Sequence, residues 1–315
     1  MFRKLLPFLS PLLAVVFLVG CAGSEASRTA STTRASRSTT QYQYSTASTP
    51  LPVVQPEVAT GAPISGGAPA IFADSAIMID ATDGQVLFQK NADQLRAVAS
   101  TQKLLTAMVL LDSGNLDQFV TIAPPDTWVE PTKLGVKNGE RYTRRELLRV
   151  LLVKSCNDAA AALARDNAGS IEAFAAKMNQ KAFQLGARSS HFVNPHGLTE
   201  PGQLSTARDM ARIAFAAYRY PFIRATVRQP SVTFTFNSGR SVTLESTNKL
   251  LKRSNSVTGM KTGYTAASGR CLVTSANVGG RTVILVQLGS KTKYIFDDAA
   301  QMVQWSGSES RYARR

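Results

Sequence analysis

Ser100 and Lys103 stand three residues apart in AVASTQKLLTAMVLL, residues 97–111, where a polar stretch runs into an apolar one. On a helix that spacing puts the hydroxyl and the amine on one face. A serine hydroxyl is a poor nucleophile until a nearby base takes its proton. A lysine amine can be that base once burial and a second cation lower its pKa. Lys261, in the one Lys-Thr-Gly of the chain, is a candidate for the second cation. An N-cap serine and a lysine snorkelling out of a helix end would account for the same pair without chemistry. The surrounding elements discriminate between these readings.

Strand-like runs sit at both ends of the ordered part. SAIMIDATDGQVLFQKN reads as two strands around Asp83-Gly84, a hairpin signal. Helical patterns follow at 100–112, 143–153, 158–167, 171–185 and 206–218. SVTFTF and SVTLES form a second hairpin, and GMKTGYT, RCLVTSANV and RTVILVQLG read as three more strands. A helix over 293–305 closes the pattern. The expected fold is α/β (α+β): an antiparallel core sheet built from both chain ends, with a helical lobe inserted between them.

The N-terminus reads as a targeting segment. Arg3 and Lys4 precede an apolar run, Leu5 to Val19, that is short for a membrane span. It ends in LVGC, which resembles the lipobox of bacterial lipoproteins, so Cys21 is the expected lipidation site. Ala22 after the cysteine leans towards the outer membrane by the same resemblance. Residues 22–70 are rich in Ser, Thr, Pro, Ala and Gly with no hydrophobic period, and are expected to be a disordered tether spanning roughly 35–42 Å. The expected organisation is a signal peptide at 1–20, a lipid-anchored tether at 21–70, a catalytic domain at 71–307 and a tail at 308–315.

The net charge of +15 favours polyanionic or acidic partners. Nucleic acid is not expected, because the arginines are scattered and no basic patch is interleaved with aromatics. Cys156, Cys271, His191 and His196 have no zinc-like spacing, so neither a metal nor another cofactor is expected. Export would permit a disulfide between Cys156 and Cys271.

Ser-x-x-Lys occurs at Ser100, Ser246 and Ser290, and Ser-x-Asn at Ser113, Ser155, Ser246 and Ser275. Serine acyl-transfer enzymes with this centre carry S-x-x-K, S-x-N and K-[ST]-G in that order. The first opens a helix, the second lies in the helical lobe and the third lies on a strand. Only Ser100–Lys103, Ser155–Asn157 and Lys261–Gly263 meet all three conditions. STQKLLTA, SCNDAAAALA, FVNPHGL, LSTARDMA and KTGYTAASGRCLVTSA resemble the D-alanyl-D-alanine carboxypeptidases, the low-molecular-mass penicillin-binding proteins of bacterial wall maintenance. The resemblance covers about Ile71 to Trp305.

It implies a DD-peptidase/β-lactamase-like fold with a five-stranded core sheet, and a serine peptidase acting on peptidoglycan stem peptides. Ser100 would be the nucleophile and Lys103 its base. Ser155 would relay the proton to the leaving amine, and Asn157 would hold the substrate amide. Lys261 and Thr262 suit the terminal carboxylate of D-Ala-D-Ala, with Gly263 and Tyr264 beside it. The backbone N–H groups of Ser100 and Tyr264 would form the oxyanion hole. β-Lactam antibiotics and, through the N-terminal lipid, a membrane are the other expected partners. Cys156 reads as inert packing, and His191 and His196 as structural. Two residues depart from the family pattern: Val98 stands where a proline is common, and Thr247 where some members have an arginine near the carboxylate. A DD-endopeptidase, a β-lactamase and a penicillin-sensing module without turnover are the alternatives on the same residues.

Overall fold

A computed structural model describes residues 67–312. The expected signal peptide, Cys21 and nearly all of the expected tether lie outside the described residues. In chain order the strands are β1 (Ser75–Asp80), β2 (Val86–Lys90), β3 (Phe119–Thr121), β4 (Arg141–Thr143), β5 (Ser231–Thr235), β6 (Ser241–Glu245), β7 (Val257–Thr265), β8 (Gly269–Val278) and β9 (Arg281–Ser290). The helices are α1 (Lys103–Asp112), α2 (Arg144–Val153), α3 (Asn157–Ala168), α4 (Ile171–Gln184), α5 (Ala207–Tyr218), α6 (Pro221–Val227) and α7 (Ile295–Tyr312).

One antiparallel sheet has the order β2-β1-β9-β8-β7, so strands from the two ends of the sequence pair at its centre. The expected architecture is therefore the observed one. Every residue of β1 is buried, because both faces of the sheet are covered. Alternation along the strands divides the core. Ile77, Ile79, Ile284 and Val286 face the large helical lobe. Ala76, Met78, Val283 and Leu285 pack with Ile295, Ala299 and Met302 of α7.

α1 runs through the centre of the lobe and is buried from Lys103 to Leu110. A helix buried all round carries apolar residues on every side. The exceptions here are Lys103 and Thr106, both fully buried. α2 begins with a capping box, in which Thr143 accepts from the Glu146 N–H and the Glu146 carboxylate accepts from the Thr143 N–H. Its end delivers the chain to Ser155, which has φ +71°.

Three short elements, β3, β4 and α6, are additional to the sequence reading, and α7 extends to Tyr312 rather than ending near Trp305. Cys156 and Cys271 are both free thiols, so the permitted disulfide is not formed.

Candidate active site

The serine sits on a single 3-10 turn, Ala99–Gln102, that leads into α1. Ala99 has φ +49°, an unfavourable conformation for a residue with a Cβ. Two other segments press on this turn and hold it. Gly263 of β7 passes so close that a Cβ there would lie 2.9 Å from the Ser100 nitrogen. Gly197 has φ +86°, and a Cβ on it would lie 2.2 Å from the Ala99 carbonyl oxygen. Both positions require glycine because backbone meets backbone.

Lys103 is fully buried, the opposite of a snorkelling lysine. Its Nζ donates to Ser100 Oγ at 2.8 Å, to Asn157 Oδ1 at 2.7 Å and to the His196 carbonyl at 2.7 Å. Ser100 Oγ, half-buried, donates to the same His196 carbonyl at 3.0 Å. Lys261 is also buried, with Nζ 2.8 Å from Ser155 Oγ and 2.9 Å from the Thr262 carbonyl. All these partners are uncharged oxygens. Burial pushes the Lys103 pKa well below its ordinary 10.5, and the charge of Lys261 pushes it further the same way. Burial brings Lys261 down to about 7.

Ser100, Lys103, Ser155, Asn157 and Lys261 thus converge, with Thr262, Gly263 and Tyr264 on the adjoining edge strand. Asn157 joins two parts of the site: its Oδ1 holds Lys103, and its Nδ2 donates to the Pro131 carbonyl. Both ends of this amide, expected to hold substrate, already have protein partners. Thr262 Oγ1 donates to Thr247 Oγ1 at 2.6 Å, which places Thr247 beside the Lys-Thr-Gly strand.

The rival Ser-x-x-Lys pairs lack this environment. Lys249 and Lys293 are exposed. Burial raises the thiol of Cys156 to about 12 and that of Cys271 to about 11, consistent with packing rather than reactivity. The imidazole of His196 is held near 3, chiefly by burial and then by Lys103, so the ring stays neutral.

The residue that sequence reasoning missed is His196 in its main-chain role. Its carbonyl binds both reactive side chains, and a supporting network delivers it. Thr106 Oγ1 donates to the Pro195 carbonyl at 2.7 Å, and Gln102 Nε2 donates to the Asn194 carbonyl. Asn194 Oδ1 in turn accepts from the Gly197 N–H at 2.8 Å. The buried Thr106 and Gln102 in an otherwise apolar helix entrance were the available signal.

The fold is of the DD-peptidase type. It matches the crystal structure of the Streptomyces K15 DD-transpeptidase with a TM-score of 0.72 and 30% identity, over 79% of this chain and 100% of that one. The chain belongs to the D-alanyl-D-alanine carboxypeptidase family, peptidase S11, whose family model matches residues 62–292. It is 34% identical over 255 residues to the D-alanyl-D-alanine endopeptidase of Escherichia coli, a match covering 78% of this chain and 81% of that protein. It is 37% identical over 235 residues to the D-alanyl-D-alanine carboxypeptidase DacB2 of Mycobacterium tuberculosis, covering 73% and 80% respectively.

Gly197→Ala should displace the His196 carbonyl from Ser100 and Lys103, because the new Cβ cannot sit 2.2 Å from a carbonyl oxygen. A misplacement of this kind costs roughly 100-fold in rate. The check is the acylation rate of the variant by a fluorescent penicillin, with circular dichroism to verify folding. An unchanged rate in a folded variant would remove the carbonyl from the account.

Proposed function

We propose that the protein is a serine-type D-Ala-D-Ala carboxypeptidase that trims peptidoglycan stem peptides through an acyl-serine, and that penicillins acylate the same residue. The observation that carries this reading is the contact of Ser100 Oγ with a buried lysine whose partners are all uncharged. Neutral Lys103 keeps its two N–H bonds for Asn157 Oδ1 and the His196 carbonyl, and its lone pair takes the Ser100 proton as Oγ attacks the carbonyl of the penultimate D-Ala. The main-chain N–H groups of Ser100 and Tyr264 receive the developing oxyanion. The C–N bond breaks, and Ser155 passes a proton to the departing D-Ala amine. Lys261 and Thr262 bind the terminal carboxylate, and Gly263 lets their strand approach the serine. Water then cleaves the ester and restores the Ser100 hydroxyl.

A DD-endopeptidase reading has one specific observation behind it. The Thr262 hydroxyl is shared with Thr247, a neutral residue, rather than with a guanidinium. With Lys261 as the one cation assigned to it, the subsite is less committed to a terminal D-Ala, and the leaving residue of a cross-linked partner strand can take that place. The β-lactamase reading is weaker. Glu172, Glu200 and Glu245, the glutamates between Asn157 and Lys261, are all exposed on the surface. None is buried against the serine as a base for the deacylating water would be.

The enzyme is further proposed to be lipid-anchored through Cys21 on the periplasmic side of the outer membrane, with residues 22–70 as the tether. LVGC and the polar segment after it support that reading. Cys21→Ala should abolish labelling by a fatty-acid probe and release active enzyme from the membrane fraction; persistent labelling would refute it.

The function is tested with benzylpenicillin and with purified muropeptides. Loss of general-base assistance slows a step by about 10²–10⁴-fold. The penicilloyl adduct should therefore persist for minutes or longer, as a mass increment on the Ser100 peptide that Ser100→Ala lacks. Monomeric muropeptides should lose one D-Ala. Conversion of dimers to monomers, with monomers untouched, would select the endopeptidase. Penicillin turnover at many per second without a trapped adduct would overturn the peptidase.

A further inference from the structure

Trp128 is 71% exposed, the highest value among the large hydrophobic side chains described. The other exposed aromatics each have a partner on the ring. Phe72 stacks on Tyr294 at 3.6 Å, and arginines lie over Phe119, Phe183 and Tyr264 at 5.1, 5.2 and 4.3 Å. Among the described residues, no ring or cation covers Trp128.

The segment that carries this indole is anchored on both sides. Before it, the buried Asp126 carboxylate accepts from the Ala123 N–H at 2.8 Å and from the Arg165 guanidinium at 2.7 Å. After it, the Thr132 carbonyl accepts from the Asn157 N–H at 2.9 Å, and the Pro131 carbonyl accepts from Asn157 Nδ2. The Leu134 and Gly135 N–H groups both donate to the Asp158 carboxylate at 2.9 Å. An exposed aromatic on a fixed support offers contact area with little ordering cost on binding.

The anchor is also the catalytic neighbourhood. Asn157 holds Pro131 with one end of its amide and Lys103 with the other. Trp128 is three residues before Pro131, so their Cα atoms are at most about 11 Å apart. The segment that carries the indole is therefore joined to the site through Pro131, which Asn157 contacts.

We propose that Trp128 is a stacking platform for the glycan strand that carries the stem peptide. The inference rests on the peptidase reading above. The stem peptide is amide-linked to an amino sugar, so a substrate acylating Ser100 brings a saccharide within one stem-peptide length of the serine. The C–H face of a pyranose is apolar while its edge is polar. It fits a flat indole that is open to solvent on its face, as an amphipathic ring at a wet interface does. The Trp128 contact adds affinity for glycopeptide over peptide without touching the reacting atoms.

The test compares kcat/KM on a disaccharide-bearing muropeptide with kcat/KM on the same stem peptide without sugar. In Trp128→Ala the ratio of the two should fall about tenfold, mainly through KM on the glycopeptide, and Trp128→Phe should restore part of it. Phe183→Ala, an exposed aromatic on α4, should leave the ratio unchanged. Titration with the peptide-free amino-sugar disaccharide should shift tryptophan fluorescence in the wild type and not in Trp128→Phe, where Trp305 remains. An unchanged ratio would overturn the proposal, as would a dimer in the wild type that Trp128→Ala makes monomeric, since a second copy would then cover the indole. If neither substrate is cleaved, the peptidase reading fails, while the fluorescence titration still reads Trp128 alone.

Discussion

The site depends on a lysine nitrogen buried away from water with no carboxylate in hydrogen-bonding contact, although the nearby Asp158 charge partly offsets the effect of burial. Lys103 Nζ has three oxygen partners, and none carries a charge. Lys261, equally buried, lies near enough for its charge to act on Lys103. Such an arrangement costs stability. For Lys261 the cost sets in as pH falls from 10.5 towards about 7, where the unfolded chain binds a proton that the folded chain does not. A pKa lowered by this much corresponds to several kcal/mol at neutral pH. The same cost is what makes an amine a base near neutrality.

The rest of the fold can be understood as the support for that placement. The sheet is covered on both faces, so its edge strand β7 is fixed and can bring Lys261 and Gly263 against the serine turn. α1 is enclosed by the lobe, which leaves Lys103 no route to solvent. Gln102 on the serine turn and Thr106 on α1 tie down the Asn194–Gly197 loop, so the His196 carbonyl is positioned by the same continuous segment that carries the serine and the lysine. Asp158, the residue after Asn157, fixes the 131–135 segment: its carboxylate accepts from the N–H groups of Leu134 and Gly135. Left-handed backbone at Ala99 and Ser155 is maintained because these contacts surround it.

Much of this was legible in the sequence. The β1–β2 hairpin follows from Asp83-Gly84 between apolar runs, and the helices of the lobe follow from their periodicity. Ser100, Lys103, Ser155, Asn157 and Lys261 could be selected because three short motifs had to occur in one order and on three kinds of element. What was not legible has physical reasons. The His196 contribution is a main-chain carbonyl, which any residue type possesses. Ala99 adopts φ +49° without the glycine that would signal it. α6 is only seven residues long, too short for a helical period to stand out. Trp128 looks like a core residue by type, and only the fold shows it in solvent.

The central claim is that burial and a neighbouring cation keep Lys103 neutral enough to take the serine proton. The most direct measurement is an NMR titration of the Lys103 side chain, assigned by its loss in Lys103→Arg, in the wild type and in Lys261→Met. If the neutral amine is the base, acylation by penicillin should rise with pH through the same transition. The account predicts a Lys103 pKa well below 10.5 in the wild type. In Lys261→Met it should move upward, because the second cause of the shift is gone, yet stay below 10.5, because burial persists. A wild-type Lys103 that titrates near 10.5 would contradict the account.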